Sequence, residues 1–419
     1  MNAPRPPLLQ LDEALAQLLG RIEPLEGQEM VATLEADGRF LASPLHSALQ
    51  VPAFDNSSMD GYAVRSQDLA LGPVDLRVSQ RIPAGTVGQG LHQGEAARIF
   101  TGAPVPEGAD AIVMQEDAQW LDDGTALGQV RVSGPVVPGQ WIRRRGEDVA
   151  LGSMVLPAGT RLGPAELGLA ASLGMAQLPV ARAPRVALFS TGDELVMPGE
   201  VAPEALRAGA IFNSNRFFLK ALLHRLGCEV SDLGIVPDSR QATLAALRTA
   251  ADHHDLILTS GGVSVGEEDH VKPAVQALGE LALWQIAMKP GKPFAYGQVR
   301  RTTQSGQAHF VGLPGNPVSS YVTCLLMVRP LLLRLQGAVA APWPRMTLRA
   351  DFAWPRPDKR REFLRVRRNA RGGLDLFPNQ SSGVLTSLVW ADGLVDNPSR
   401  QAIEPGDWVT YIPLSEAIF

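Results

Sequence analysis

Between residues 184 and 335 the chain alternates strand-like apolar runs with helical stretches, and this alternation restricts the fold more than any other feature. "RVALFSTG" reads as a strand ending in a glycine turn. "NSNRFFLKALLHRLG" reads as a helix with Asn or Ser as N-cap and Gly227 closing it. "CEVSDLGIVPD" is a strand, "SRQATLAALRTAADHH" a helix and "DLILTSGG" a strand. "DHVKPAVQAL" is a shorter helix, because Pro273 must lie in its first turn. "HFVGLPGNPVSSYVTCLLMV" reads as a strand, a tight turn and a long helix. Strands alternating with helices predict βαβ units and a doubly wound parallel sheet.

At 419 residues the chain is too long for one hydrophobic core. Residues 8–20 carry leucines at helical spacing. From about 45 to 150, short β-type runs such as "VDLRVSQRI", "AARIF", "DAIVMQ" and "QVRVS" alternate with Gly and Pro turns. "GPAELGLAASLG" is helical, with Pro164 near its first turn. "APWPRM" marks a linker, and "MTLRADFAW", "REFLRVRR", "LDLFP" and "DWVTYI" read as a further β unit. The expected fold is therefore multidomain α/β plus β. Residues 1–183 form an N-terminal linker region with an inserted β-rich subdomain at about 45–150. Residues 184–338 form the central α/β domain, and 345–419 a small β-barrel-like domain.

A net charge of −5 argues against nucleic-acid binding. Cys228 and Cys324 lie in no CxxC or Cys/His cluster, so neither a zinc site nor a disulfide framework is expected, and a reducing cytoplasm is compatible. "MNAPRPPLLQLDEAL" lacks the pattern of a signal peptide. The most apolar tract, Val322 to Leu335, is interrupted by Arg329, Pro330 and Arg334, and no membrane span is expected from it.

In a parallel α/β sheet, ligands bind beyond the carboxyl ends of the strands. Four unusual loops fall there: "STGDEL" (190–195), "IVPDS" (235–239), "TSGGVSVGEED" (259–269) and "GLPGNP" (312–317). The glycine loop exposes backbone N–H groups able to cradle a phosphate, although an isolated Gly-Gly is more often a structural turn. Asp193, Glu194, Asp238 and Asp269 each stand just past a strand. Singly they read as helix caps; together, beside a glycine cradle, they suit Mg²⁺ completed by substrate phosphate. "MKPGKPFAYG" holds Lys289 and Lys292 on a stiff segment, facing an anion or simply solvent. In "NSSMDGYAVR", the bland reading of Asp60-Gly61 is a type I′ turn. The basic stretch "RPDKRREFLRVRR" reads as an anion-binding or merely solvated strand.

These residues add up to a resemblance. "NSSMDGYAVR", "IFTGAPVPEGADAIV", "IRRRGED", "STGDEL", "NSN", "TSGGVSVGEEDH", "MKPGKP", "GLPGNPVSS" and "REFLRV" resemble, in order, the motifs of the molybdopterin molybdenumtransferases. That family comprises bacterial MoeA and the E domains of gephyrin and its plant relative. The resemblance implies insertion of molybdenum from molybdate into adenylylated molybdopterin with release of AMP, aided by Mg²⁺. It implies a homodimer whose site lies between the central domain of one subunit and the β subdomain of the other. It also implies transient contact with the molybdopterin adenylyltransferase and with acceptor molybdoenzymes.

Carried onto this sequence, the resemblance makes Asp60, Thr101, Glu194, Asp238, Asp269 and Lys289 catalytic, with Glu194, Asp238 and Asp269 holding the metal. Thr191, Gly192, Asp193, Ser214, Asn215, Gly261, Gly262, Ser264, Gly266, Lys292, Pro314, Gly315, Asn316, Pro317, Arg361 and Ser382 would bind substrate. One departure is Gln285, where lysine is frequent; either oxyanion affinity is weaker or another basic residue substitutes. Two rival readings remain. The central domain alone also resembles pterin-adenylylating proteins and a nicotinamide-nucleotide amidohydrolase family. A scaffold or carrier would bind the adenylylated pterin, or a peptide, without metal insertion.

Overall fold

The computed structural model describes residues 8–262, 270–303, 305–339 and 343–415. The central domain is built on strands β1 (Arg185–Thr191), β2 (Glu229–Val236), β3 (Leu256–Ser260), β4 (Gly279–Gln285), β5 (Pro293–Arg300) and β6 (Gln307–Leu313). They lie in the order β2-β1-β3-β6-β5-β4. The first four are mutually parallel, while β5 and β4 run antiparallel at one edge. The parallel part answers the expected alternation. The edge hairpin was not anticipated, because its Lys-Pro-Gly-Lys-Pro turn reads as an isolated loop.

Helices cover both faces, as double winding requires. They are α1 (Leu11–Leu19), α2 (Asn215–Arg225), α3 (Arg240–His253), α4 (Val271–Leu278), α5 (Pro317–Thr323) and α6 (Arg329–Leu335). The alternation of side chains along β1 decides who packs where. Val186 and Leu188 join α1, α2, α5 and α6 in one core, while Ala187 and Phe189 join α3 and α4 in the other. The caps differ in detail from expectation. The Ser214 side chain makes no cap bond to α2. Asn213 does so instead, accepting from Arg216 N at 3.2 Å.

The run Pro317–Leu335 is one continuous helical stretch, since a π-type turn at Cys324–Val328 joins α5 to α6. Pro330 sits at the start of α6 and does not break it. By length, 19 residues, and by composition, with mean hydropathy 1.4 in its most apolar window, the stretch could cross a bilayer. Of its most apolar window, 72% is buried inside the fold, as befits a core helix between the sheet and α1.

In the inserted subdomain a six-stranded sheet follows the order 111–114, 61–64, 95–99, 74–82, 129–132, 118–121. Its Asp60-Gly61 is not a type I′ turn. Gly61 begins a strand, and a Cβ there would meet Val113 O at 1.9 Å, so close strand approach explains the glycine. The C-terminal strands β7 (Met346–Ala350), β8 (Arg361–Arg368), β9 (Gly373–Leu376), β10 (Gly393–Asn397) and β11 (Trp408–Pro413) close into a five-stranded barrel in the order β8-β9-β7-β11-β10. The β8–β10 pairing completes the closure.

Two imidazoles, the buried His254 and the half-buried His309, give the fold a pH dependence. His309 is pushed down to about 4 by burial, and its Nδ1 faces Tyr296 Oη at 2.9 Å. His254 is lowered by the same cause. An unfolded histidine takes its proton near ~6.5, before the folded one does. Folding stability therefore falls as pH drops from that value toward about 4. Melting temperature followed over this window is expected to decline in the wild type and to decline less in His309→Gln, which keeps a polar partner for Tyr296 but does not titrate.

Candidate active site at the carboxyl edge of the sheet

The chain leaves β1 for β2 on one side and then, from β2, crosses to β3 on the other. The switch crevice thus opens between the carboxyl ends of β1 and β3, where doubly wound folds bind ligands. Register fixes the rim: Thr191 pairs with Val236, Ser190 with Ser260, and Ser260 with Leu313. Four loops consequently stand side by side: Pro237-Asp238, Gly192-Asp193-Glu194, Gly261-Gly262, and Pro314-Gly315-Asn316.

The two central loops abut. Gly261 and Gly262 have φ of 95° and 65°, which side-chain-bearing residues rarely adopt. A Cβ on Gly261 would lie 3.0 Å from Thr191 O, and one on Gly262 3.1 Å from Thr191 Oγ1. The glycine backbone is thereby pressed onto the end of β1. The Glu194 carboxylate folds back above Gly192, 2.5 Å from where a Cβ would be. Arg207 donates to the Asp193 carbonyl. Asp238 is half-buried beside them, and α3 is capped not by it but by Ser239, whose Oγ accepts from Ala242 N at 3.3 Å. Asn215 ties the rim together, donating from Nδ2 to Ser260 Oγ and to Gly315 O, both at 2.7 Å. Asn213 Nδ2 is buried without an acceptor among the described residues. Ser264, Gly266 and Asp269 lie outside the described residues.

Helix α5 gathers two further segments, one near each end. A Cβ on Gly291 would meet Thr323 Oγ1 at 2.3 Å, so the "PGKP" turn carrying Lys292 lies directly on α5. From the barrel, Ser382 O accepts from Val318 N at 3.0 Å. Gly291→Ala is expected to cost about 1–3 kcal/mol through overpacking and to shift this turn. Urea midpoints and turnover numbers measured together check it, with turnover falling more than the stability loss alone explains.

The basic residues differ in availability. Lys289 Nζ lies 3.2 Å from Glu362 Oε1 and 3.6 Å from Asp358 Oδ2. Glu362 is fully buried and also accepts from Trp354 Nε1 and Asp358 N, so it is a fixed counter-charge. Lys292 is half-buried and has no ion pair among the described residues. Arg361 differs from the expectation of a free anion attractor. It forks onto Asp396 with two 2.6 Å bonds and also donates to Asp12 of α1 at 3.1 Å. These carboxylates hold its pKa above the usual guanidinium value. Geometrically it is a clasp between the barrel and the N-terminal helix.

Asp60 and Thr101 belong to the inserted subdomain and meet each other, not the rim. Asp60 Oδ1 accepts from both N and Oγ1 of Thr101 at 2.8 Å. The Thr101 N–H foremost, and its hydroxyl next, hold the Asp60 carboxyl below its ordinary value, with Arg98 adding to this. Sequence reading missed Arg98 and Arg81, which stack on Phe100 at 4.8 and 4.5 Å from its ring centre. The alternation in "RIF", placing Arg98 and Phe100 on one side of a strand, was the available signal.

Among the described residues no three His, Cys, Asp or Glu side chains gather as metal ligands. Glu194 and Asp238 follow neighbouring strand ends, and carboxylate oxygens are the ligand type that Mg²⁺ takes together with substrate phosphates.

Three sequence families match the chain. "MoeA N-terminal region (domain I and II)" covers residues 9–174, "Probable molybdopterin binding domain" 187–334, and "MoeA C-terminal region (domain IV)" 347–414. A Haemophilus influenzae protein named molybdopterin molybdenumtransferase is 38% identical over 98% of this chain and 100% of its own length. The chain belongs to the molybdopterin molybdenumtransferase family. A Nostoc transferase of the same name is 37% identical over 81% of this chain and 76% of its own. A crystal structure of the molybdopterin biosynthesis MoeA protein from Pyrococcus horikoshii matches this transferase with a TM-score of 0.84 and 28% identity, over 97% of this chain and 100% of that one. Gephyrin of Dictyostelium discoideum is 31% identical over 78% of this chain and 49% of its own length.

Proposed function

We propose that this chain inserts molybdenum from molybdate into adenylylated molybdopterin, releasing AMP and molybdenum cofactor. The observation that carries the reading is the row of four loops at the switch crevice, where bare glycine backbone stands beside carboxylates, in a chain that matches transferases along its length. The Gly261-Gly262 backbone, continued by the segment with Ser264 and Gly266, binds substrate phosphate. Thr191, Asp193, Ser214, Asn215 and the Pro314–Pro317 turn shape the pocket around it. Glu194 and Asp238, with Asp269, are the residues that would hold Mg²⁺. Bound there, the ion would supply Lewis-acid polarisation of the phosphoryl oxygens as AMP departs.

Lys292 attracts molybdate and the substrate phosphates. Lys289, oriented by Glu362, contributes a fixed positive charge at the same place. Arg361 has its charge met by two carboxylates, so its part is to hold the barrel, and with it the Ser382 loop, against the central domain. The neutral Gln285 predicts a weaker hold on the oxyanion than a lysine would give. Both cysteines are buried and unpaired, which suits a reducing cytoplasm. Transient contact with the molybdopterin adenylyltransferase and with acceptor molybdoenzymes would pass the pterin in and the cofactor out.

Asp60 and Thr101 act from the second copy of a homodimer. Supporting this reading, the two residues bond to each other within the inserted subdomain, while the family motifs associate them with the rim. Inactive Asp60→Asn and Glu194→Gln proteins, mixed and allowed to exchange subunits, are then expected to recover about a quarter of wild-type activity. Half the dimers are mixed, and each mixed dimer has one intact site. No recovery contradicts the shared site.

The functional test is reconstitution of a cofactor-free molybdoenzyme by the purified protein, adenylylated molybdopterin, Mg²⁺ and molybdate. Restored activity supports the transferase. Tight binding of the pterin without restoration supports a carrier or scaffold instead.

A further inference from the structure

At the opposite edge of the central sheet from the active site, a cavity of about 400 Å³ opens between the N-terminal region and the central domain. Its walls include Phe40, Leu226, Leu333 and Val339, and three guanidinium groups, Arg161, Arg225 and Arg329. Among the described residues no carboxylate lines it. Arg329 is 9% exposed, has no hydrogen bond or ion pair among the described residues, and keeps its Nε buried without a partner. Its guanidinium carbon lies 4.7 Å from the ring centre of Trp343. A second cavity, of about 440 Å³, lies on the other side of Arg329, adds Arg334 and likewise contains no acid in its lining.

A buried cation without a counter-ion is costly, and a protein retains one where something else supplies the negative charge. Burial and the neighbouring Arg161 both depress the Arg329 pKa, the direction expected of an uncompensated charge. Arg161 is exposed at the mouth and has no ion pair among the described residues, so it can draw an anion inward. The apolar walls require a body as well as a charge. We propose that this cavity binds a small organic anion, a phosphate or carboxylate ester-sized ligand with an apolar group, whose charge rests against Arg329 and Arg161. The site is separate from the molybdenum chemistry and would report such a ligand across the junction between two domains.

Phenyl phosphate is the probe, with inorganic phosphate as the comparison and chloride at equal ionic strength as the background. Calorimetric titration of the whole protein is expected to show saturable phenyl phosphate binding that is tighter than that of inorganic phosphate. Arg329→Met, which keeps the stem and the contact with Trp343, loses at least tenfold in affinity. Without the probe it melts no lower than the wild type, because an uncompensated buried charge has gone. Arg161→Gln, an exposed change, weakens binding while leaving the melting temperature unchanged. The proposal is overturned if the wild type does not bind phenyl phosphate. It is equally overturned if both variants bind it as tightly as the wild type, which would put the ligand at the carboxyl edge, or if Arg329→Met melts lower, which would make Arg329 a structural strut.

Discussion

Glu194→Gln and Asp238→Asn are each expected to lower molybdate-dependent AMP release on the order of 10²–10³-fold, the range seen when one preorganised electrostatic group is removed from an active site. Both changes are nearly isosteric and remove only charge. Glu194 is exposed above Gly192, so its replacement disturbs no packing. Asp238 is not the cap of the following helix; Ser239 holds that position through Ala242 N. The bland explanation, loss of a helix cap, therefore predicts little change in activity and a lower melting temperature. The catalytic explanation predicts the reverse: activity lost with melting temperature nearly kept. Single-turnover AMP release and thermal unfolding on the same preparations separate the two.

The second large effect is on folding. Asp255, with a side chain 2% exposed, sits at the amino end of β3. It accepts a fork from Arg182 at 2.7 and 2.8 Å and the Arg185 N–H at 2.9 Å. The Arg301 guanidinium stands 3.6 Å away. Arg182 follows the strand 177–181 of the N-terminal region, so this one carboxylate fastens that region to the central sheet. Asp255→Ala leaves the Arg182 and Arg301 guanidinium groups without this carboxylate and is expected to cost about 3–5 kcal/mol, read as a lowered urea midpoint.

The pH dependence of this cluster has a definite sign. Burial raises the Asp255 pKa, but the Arg182 fork, the Arg185 N–H and the nearby charges outweigh it, and the net shift is downward. A carboxylate depressed in the folded state contributes its full stability above the unfolded value of ~3.9 and loses it as pH falls below that. This loss lies below the histidine window, so acid unfolding should extend over two pH ranges, with the lower one contributing less in Asp255→Ala.

What the sequence disclosed follows from the range of the signals. Periodicity and glycine punctuation are local, and they placed β1, β2, β3 and β6 with their glycine and acid loops at one edge. The hairpin of β4 and β5 was hidden because its turn also serves as a lysine-bearing loop pressed onto α5. Charge clusters are the least legible. Arg182, Asp255 and Arg301 are remote from one another in sequence, as are Asp12, Arg361 and Asp396, and only the fold shows that Arg361 is paired. Asp60 and Thr101 were tied to the site by resemblance alone, and in a single copy they meet only each other.

The most direct test of the account is AMP release in a single turnover from adenylylated molybdopterin bound to the purified protein, with and without molybdate. The account predicts rapid release that requires molybdate, slows in Lys292→Ala in a way that added molybdate partly restores, and nearly stops in Asp238→Asn. Release at the same rate without molybdate, or at the wild-type rate in Asp238→Asn, would contradict it.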